Sequence, residues 1–174
     1  MHDSGLVTPP EWTRPHLEAD GFVGWAPWST WQSALGAIPA SAGGVYVVYR
    51  PAVGTPAFLD HSPAGTFRGD PTVSAAALAA NWVDAAVVYI GKASHGQLRR
   101  RLQTYARFGE GTNARHWGGR LIWQLADASQ LLVAWRVMPT DQSPAVEERR
   151  LLTAFRRTHE GHPPFANDPH LLGR

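Results

Sequence analysis

The sequence predicts a single domain of the α+β class, in which strands and helices share one core. Three short runs rich in β-branched residues, "GGVYVVYR", "AVVYIG" and "LLVAWRV", are typical of buried strands. Two other segments carry apolar residues at helical spacing, as amphipathic helices do. With 174 residues, of which 44 % are hydrophobic, the chain is long enough to bury an ordinary core without metals or disulfides.

Residues 1–40 are predicted to form an N-terminal extension that is rich in tryptophan and proline. Trp25, Trp28 and Trp31 recur at three-residue spacing ahead of Pro39. We expect these rings to cover the hydrophobic core, and a platform for stacking nucleic-acid bases is the alternative.

Residues 41–174 are predicted to form the main domain. Its first strand, residues 43–50, is apolar on both alternating faces, which is typical of a central strand. The following residues, 51–86, are rich in Pro, Gly, Ala and Ser and hold one predicted helix, "TVSAAALAANWV". We interpret them as an insertion between two strands that is ordered at best in part.

The second strand, "AVVYIG", ends at a glycine and leads into a predicted helix, "LRRRLQTYARF". Helical spacing places Leu98, Leu102 and Tyr105 on one face of this helix, with Arg101 at the edge of that face. A further helix is expected over residues 117–125, and the third strand over residues 131–137.

The last clear helix is predicted over residues 145–159, and two adjacent glutamates occupy different positions on it. Glu148 lies in the middle of an apolar stripe with Leu151 and Phe155, whereas Glu147 lies at the edge of that stripe. A carboxylate on an apolar stripe is costly unless it is paired or bound to a cation. A structural salt bridge to arginine and a functional role are both compatible with Glu148.

Composition restricts the possible functions. The chain has no cysteine, which excludes disulfides and thiolate zinc sites. It has neither a signal-peptide pattern nor a long apolar run, so we expect a cytoplasmic protein with no membrane partner. The charge is divided unevenly, because residues 1–85 hold three arginines against seven acids, whereas residues 86–160 hold twelve basic residues against six acids. A basic half of this kind suits a polyanion such as nucleic acid.

An ordered set of residues then points to one family. The set comprises "GVY" (Gly44–Tyr46), "YIG" (Tyr89–Gly91), Lys92, Arg101, Tyr105, Glu148 and, in "PPFAN", Asn167. It resembles the GIY-YIG nuclease superfamily over roughly residues 43–167. The run "YIGKASHGQLRRRLQTY" is most similar to the N-terminal incision domain of bacterial nucleotide-excision repair. The long insertion and the extension depart from the minimal family module and are reminiscent of its restriction-enzyme members, so repair and defence against foreign DNA both stay open.

The resemblance implies a three-stranded antiparallel sheet flanked by helices and an endonuclease that hydrolyses phosphodiester bonds in DNA, with RNA not excluded. It implies one Mg²⁺ or Mn²⁺ ion on Glu148, Arg101 on the scissile phosphate, and a tyrosine that relays the proton of the attacking water. The tyrosine candidates are Tyr46, Tyr89 and Tyr105. Lys92, the only lysine in the chain, is expected near Tyr46, where its charge would favour the phenolate.

Further residues are assigned supporting roles on the same basis. Arg99, Arg100, Arg107 and His116 are expected to bind nucleic acid, and Gly91 and Asn167 to support the structure near the site. The alternative function is a non-catalytic nucleic-acid-binding module on the same scaffold. Under either function, the extension and the insertion are expected to shape the choice of substrate.

Overall fold

The β-branched segments assemble into one sheet in the computed structural model, which describes residues 12–172. The strands are β1 (Val23–Pro27), β2 (Gly44–Tyr49), β3 (Val87–Ala93) and β4 (Leu132–Val137). The sheet order is β1-β4-β2-β3, and all neighbouring strands are antiparallel. The α+β class is therefore confirmed, and the expected three strands are corrected to four.

Six α-helices are present within the described residues. They are α1 (Arg14–Ala19), α2 (Trp31–Ala34), α3 (Ala75–Ala80), α4 (Leu98–Gly109), α5 (Pro144–Thr158) and α6 (Pro169–Leu172). Helix α5 begins where Ser143 accepts a hydrogen bond from the Val146 backbone N–H and Pro144 occupies the first helical turn, two ordinary start signals. The helix expected over residues 117–125 is instead a 3₁₀ helix, Arg120–Gln124, whose five residues are all buried and so lack an amphipathic period.

The strand missing from the sequence prediction is β1, which lies within the predicted extension. Its sequence, "VGWAP", shows no alternation, and the strand is bulged between Gly24 and Ala26. Gly24 has a φ of 104°, and a Cβ there would lie 2.3 Å from the Trp135 ring, so glycine allows the close approach to β4. The extension thus contributes an edge strand to the sheet; its residues 1–11 lie outside the described residues.

The tryptophans of the extension cover the core, as expected. Trp28 and Trp31 are buried, and the Trp28 ring packs against Tyr105 and Trp123 with centroid distances of 5.1 and 5.3 Å. The Trp31 indole N–H donates to a Glu110 carboxylate oxygen at 2.7 Å. These rings are therefore committed to packing and are not available as a base-stacking platform.

The insertion is attached to the core at several points, which corrects the expectation of partial order. Leu78 on helix α3 is fully buried, and the Phe58 ring packs against Trp82 and Phe165. The Leu59 backbone N–H also donates to the carbonyl oxygen of Gln124 at 2.8 Å. Apolar side chains in an otherwise Pro- and Gly-rich segment provide this attachment, and they carry no periodicity that a sequence pattern reveals.

The two faces of the sheet bury different helices. On one face, Tyr46, Val48 and Tyr89 pack with Leu102 and Tyr105 of α4. On the other face, Val45, Val47 and Ile90 pack with Leu151 and Phe155 of α5. Strand β3 forms one edge of the sheet, so side chains from both layers can meet around that edge. No helix among residues 12–172 is long and apolar enough to span a membrane.

Candidate active site

A basic cleft of about 460 Å³ opens where edge strand β3 ends and helix α4 begins. The residues that line it come from β2, β3, α4, α5 and the loop after α4. They are Tyr46, Tyr89, Lys92, Ala93, Ser94, Gln97, Arg100, Arg101, Thr104, Arg115 and Glu148. Six of these, Tyr46, Tyr89, Lys92, Arg100, Arg101 and Glu148, are residues that the sequence predicted for the site.

Two tyrosines form the floor of the cleft. Tyr46 is fully buried and Tyr89 is nearly so, and their ring centroids lie 6.1 Å apart. Antiparallel pairing places Gly91 of β3 directly opposite Tyr46 of β2. A Cβ on Gly91 would lie 2.5 Å from the Tyr46 ring, so only glycine leaves room for the phenol, as the expected structural role of Gly91 requires.

The Tyr46 hydroxyl has charged neighbours that act on its ionisation in opposite directions. Burial raises the pKa of Tyr46 above its usual value, whereas the charge of Arg101 and its hydrogen bond to the phenol lower it. The Glu148 carboxylate adds a smaller upward contribution. Arg101 also donates to the backbone carbonyl of Arg115 at 3.2 Å, which holds the guanidinium over the cleft floor.

His116 lies beneath the floor, and this corrects its expected contact with DNA. The ring is fully buried, and its Nε2 lies 3.1 Å from the Tyr46 hydroxyl oxygen. Burial, with a further contribution from Arg101, holds the pKa of His116 well below its usual range. The ring is therefore neutral at neutral pH, and in either tautomer its hydrogen bond fixes the direction of the Tyr46 hydroxyl.

Tyr105 also lies outside the cleft, although the resemblance assigned it to the site. Its hydroxyl donates to the Gly119 carbonyl at 2.7 Å, and burial raises its pKa well above the usual value. The ring stacks on His116 with a centroid distance of 3.6 Å and an interplanar angle of 2°. Tyr105 therefore positions His116 and does not itself reach the cleft.

Lys92 occupies a different position from the one expected. Because Gly91 faces Tyr46, the next residue along the strand points to the opposite side of the pleat, away from the phenol. The Lys92 Nζ donates instead to a Glu148 carboxylate oxygen at 2.8 Å. The cation beside the Tyr46 hydroxyl is Arg101.

Glu148 reaches the cleft from the far layer of the structure. Helix α5 packs on the sheet face opposite Tyr46, and Glu148 comes into the cleft beside the end of edge strand β3. Its side chain is 20 % exposed, and its recorded ion pair is with Lys92 at the cleft rim. Glu148 therefore pairs with the only lysine of the chain. The salt bridge to arginine that was considered for Glu148 is made instead by Glu147.

That neighbour, Glu147, forms an ion-pair network on the same helix. Its carboxylate accepts hydrogen bonds from Arg136 of β4 and from Arg150 one turn along α5. The Glu147 side chain is 14 % exposed, so it is more shielded than the stripe-edge position suggested. Its hydrogen bonds with Arg150, and the Arg136 charge, hold the pKa of Glu147 below its usual range.

Asn167 supports the site through the backbone of β3. Its side-chain oxygen accepts from the Ile90 N–H at 2.8 Å, and its side-chain nitrogen donates to the Ile90 carbonyl at 2.9 Å. The amide thereby pairs both backbone hydrogen-bonding groups of Ile90 at the free edge of β3. This is the structural role expected for Asn167.

The three arginines on α4 that were predicted to bind nucleic acid have three different environments in the structure. Arg99 donates to the backbone carbonyls of Ile38 and Gly36, so it attaches α4 to the extension and is corrected to a structural residue. Arg100 is exposed and lines the cleft. Arg107 is exposed in the last turn of α4, outside the residues that line the cleft.

Sequence reasoning missed four polar residues of the cleft, Ser94, Gln97, Thr104 and Arg115. Gln97 and Thr104 share a face of α4 with Arg100 and Arg101, at positions i, i+3, i+4 and i+7, so the polar helical spacing was a usable signal. Arg115 has no such signal, because the irregular loop after α4 brings it to the cleft.

The possible metal ligands in the cleft suit a divalent ion that keeps most of its waters better than an ion coordinated entirely by protein side chains. No group of three His, Cys, Asp or Glu side chains that could hold a metal occurs in residues 12–172. One Glu148 oxygen accepts a hydrogen bond from the Lys92 Nζ at 2.8 Å. Mg²⁺ keeps several waters and takes phosphate oxygens as ligands, so one carboxylate in a cleft of this size matches its needs.

Comparison with protein-family models, with curated proteins and with solved structures gave no match to this chain.

Proposed function

We propose that this chain is an endonuclease that hydrolyses phosphodiester bonds in DNA with the help of Mg²⁺ or Mn²⁺, on a scaffold similar to that of the GIY-YIG nucleases. One observation carries the proposal: Tyr46, Tyr89, Arg101 and Glu148 come from four separate elements and line a single basic cleft. Phosphodiester hydrolysis needs an activated water, neutralisation of the charge that develops on the phosphate, and help for the departing 3′ oxygen.

Arg101 is the phosphate-binding group in this proposal. Its guanidinium lies over the cleft floor and presents a planar fork that matches two phosphate oxygens. Arg101 also lies close enough to the Tyr46 hydroxyl to lower its pKa, and the Tyr46 ring has no exposed surface.

Tyr46, once it has lost its own proton and become a phenolate, is the group that accepts the water's proton. A phenol whose pKa is raised by burial becomes a base only when positive charge lies nearby, and Arg101 supplies that charge from the chain itself. The hydrogen bond with His116 fixes the position of the Tyr46 hydroxyl oxygen at the cleft floor. Glu148 would hold the ion, which supplies positive charge at the departing oxygen.

The alternative is a module that binds nucleic acid without cutting it. The Lys92–Glu148 ion pair favours this alternative, because it neutralises the one carboxylate of the cleft without any metal. The same pair is compatible with catalysis if a divalent ion displaces the lysine.

A cleavage panel separates the two functions. Purified chain is incubated with supercoiled plasmid, linear duplex, single-stranded and branched DNA, and RNA, each with Mg²⁺, with Mn²⁺ and with EDTA. We expect metal-dependent cleavage of at least one DNA form and none with EDTA. Binding without cleavage under every condition would replace the nuclease by the binding module.

A further inference from the structure

A second groove adjoins the candidate active site. It has a volume of about 430 Å³, and Arg101 and Arg115 line both it and the cleft. The insertion contributes Phe67 and Arg68, and the segment after α4 contributes Trp117 and Arg120. The two depressions therefore form one continuous surface, to which the insertion contributes Phe67 and Arg68.

The groove is lined by four arginines and by no carboxylate. Arg68 and Arg115 are exposed, and neither has an acidic partner among residues 12–172. Arg120 is buried and donates to the carbonyl oxygens of Trp117 and Leu172. Burial and the nearby charge of Arg68 lower the pKa of Arg120, so these cations repel one another in the absence of a ligand.

Aromatic rings hold the guanidinium groups in place. Arg68 and Arg115 both lie near the Phe67 ring, with guanidinium carbons 5.9 and 5.7 Å from its centroid. Arg120 lies 4.5 Å from the centroid of Trp117. At the exposed Arg68 and Arg115, contact with a ring leaves N–H groups at the edge of the guanidinium that can donate to phosphate oxygens.

A tight turn presents Arg68 to the groove. Phe67 and Gly69 pair on either side of it, and the Gly69 N–H donates to the Thr66 carbonyl at 3.0 Å. Gly69 has a φ of 112°, which favours glycine. The turn fixes the backbone of Arg68, so its side chain loses less freedom on binding a ligand than one on a mobile loop.

We propose that this groove, formed by Phe67, Arg68, Arg115, Trp117 and Arg120, is a second nucleic-acid subsite that binds the backbone phosphates next to the phosphate in the cleft. Arginines without an acidic partner among residues 12–172, in a groove that shares two residues with the cleft, are complementary to a chain of phosphates. The inference rests on the proposed function for the identity of the polyanion. It assigns the insertion a direct part in binding.

The test measures binding in EDTA, where cleavage does not interfere. A fluorescein-labelled DNA duplex of about 20 base pairs is titrated with wild-type protein and with Arg68→Ala at several salt concentrations, because each phosphate contact contributes about 0.9 to the slope of log affinity against log salt. We expect Arg68→Ala to bind roughly tenfold more weakly at low salt and to lower the slope by about 1. Arg68→Lys, which keeps the charge, should retain the slope.

Arg156→Ala is the matched control, because Arg156 is an exposed arginine that lines neither depression. It should bind within about twofold of wild type, since it loses the same charge away from the phosphate contacts. Thermal melting of each variant checks that the fold is kept; Arg68 is exposed, so its loss should not unfold the chain.

Each outcome decides between the two proposals. Equal binding and equal salt slopes for Arg68→Ala and Arg156→Ala would overturn the subsite even if the wild type cleaves DNA. Binding that depends on Arg68 without any cleavage would support the subsite and contradict the nuclease. A wild-type protein that binds no nucleic acid would overturn both.

Discussion

At the scale of single residues, Glu147 and Glu148 are adjacent in sequence but serve different contacts. Glu148→Gln removes the charge that would hold the ion while keeping the shape of the side chain. We expect it to lower Mg²⁺-dependent cleavage on the order of 100-fold or more, as loss of a group that stabilises transition-state charge does. DNA binding in EDTA should be unchanged or tighter, because one negative charge near the phosphates is lost.

Glu147→Gln is the control for this prediction. Its carboxylate pairs with Arg136 and Arg150 and does not line the cleft, so cleavage at pH 7 should stay near the wild-type rate. Single-turnover rates measured well below the melting temperature provide the comparison. If Glu148→Gln cuts as fast as Glu147→Gln, Glu148 does not hold a catalytic ion.

His116 provides a second prediction at this scale. His116→Phe keeps a ring that can stack on Tyr105 but removes the hydrogen bond to the Tyr46 hydroxyl. We expect the single-turnover cleavage rate to fall about tenfold, the equivalent of about one hydrogen bond, with little change in DNA affinity.

The chain contains a matched control for His116. His159 stacks on Phe155 with a centroid distance of 3.8 Å and an angle of 5°, and it does not line the cleft. His159→Phe should therefore cut at the wild-type rate. Equal rates for the two histidine variants would show that the His116 hydrogen bond does not position Tyr46.

At the scale of elements, the Glu147 network ties helix α5 to strand β4. Hydrogen bonds with Arg150 and the charge of Arg136 lower the pKa of Glu147, so the ionised carboxylate stabilises the fold. A depressed carboxylate pKa contributes stability that is complete above the unfolded value, about pH 4.3, and is lost as the pH falls through the folded value.

Glu147→Gln should therefore cost about 1 kcal/mol of unfolding free energy at pH 7, a modest value because both partners reach solvent. The difference from wild type should shrink as the pH falls below about 4.3. Denaturant titrations at several pH values measure it, with Asp141→Asn as the exposed control. A difference that stays constant down to pH 3 would contradict the assigned role of the charge.

Elements with a clear local period were predicted correctly, and irregular ones were not. Strands β2, β3 and β4 and helices α4 and α5 appear within a few residues of their predicted positions, because continuous β-branched runs and helical spacing are properties of contiguous residues. Strand β1 was missed because a bulge and two residues with positive φ interrupt its pattern. The pairing with β4 that stabilises it joins residues more than a hundred positions apart.

At the scale of the whole molecule, the basic half of the sequence divides into two groups in space. Arg99 and Arg136 are held by backbone carbonyls and carboxylates, and they stabilise the fold. Arg100, Arg101 and Arg115 line the cleft, where a polyanion can reach them. Arg68 joins them from the half of the chain with negative net charge, so the distribution of charge along the sequence does not describe its distribution on the surface.

The sequence by itself determined the α+β class, most of the helices and strands, and the four residues Tyr46, Tyr89, Arg101 and Glu148 that line the cleft. Only the tertiary structure decided that Lys92 pairs with Glu148, that His116 supports Tyr46 from beneath the cleft floor, and that the insertion presents Arg68 beside the cleft. The physical reason is the separation along the chain of the residues that determine each feature. Periodicity and motif order depend on neighbouring residues, whereas the side of a strand pleat, the burial of a ring and the meeting of distant loops depend on how the whole chain packs.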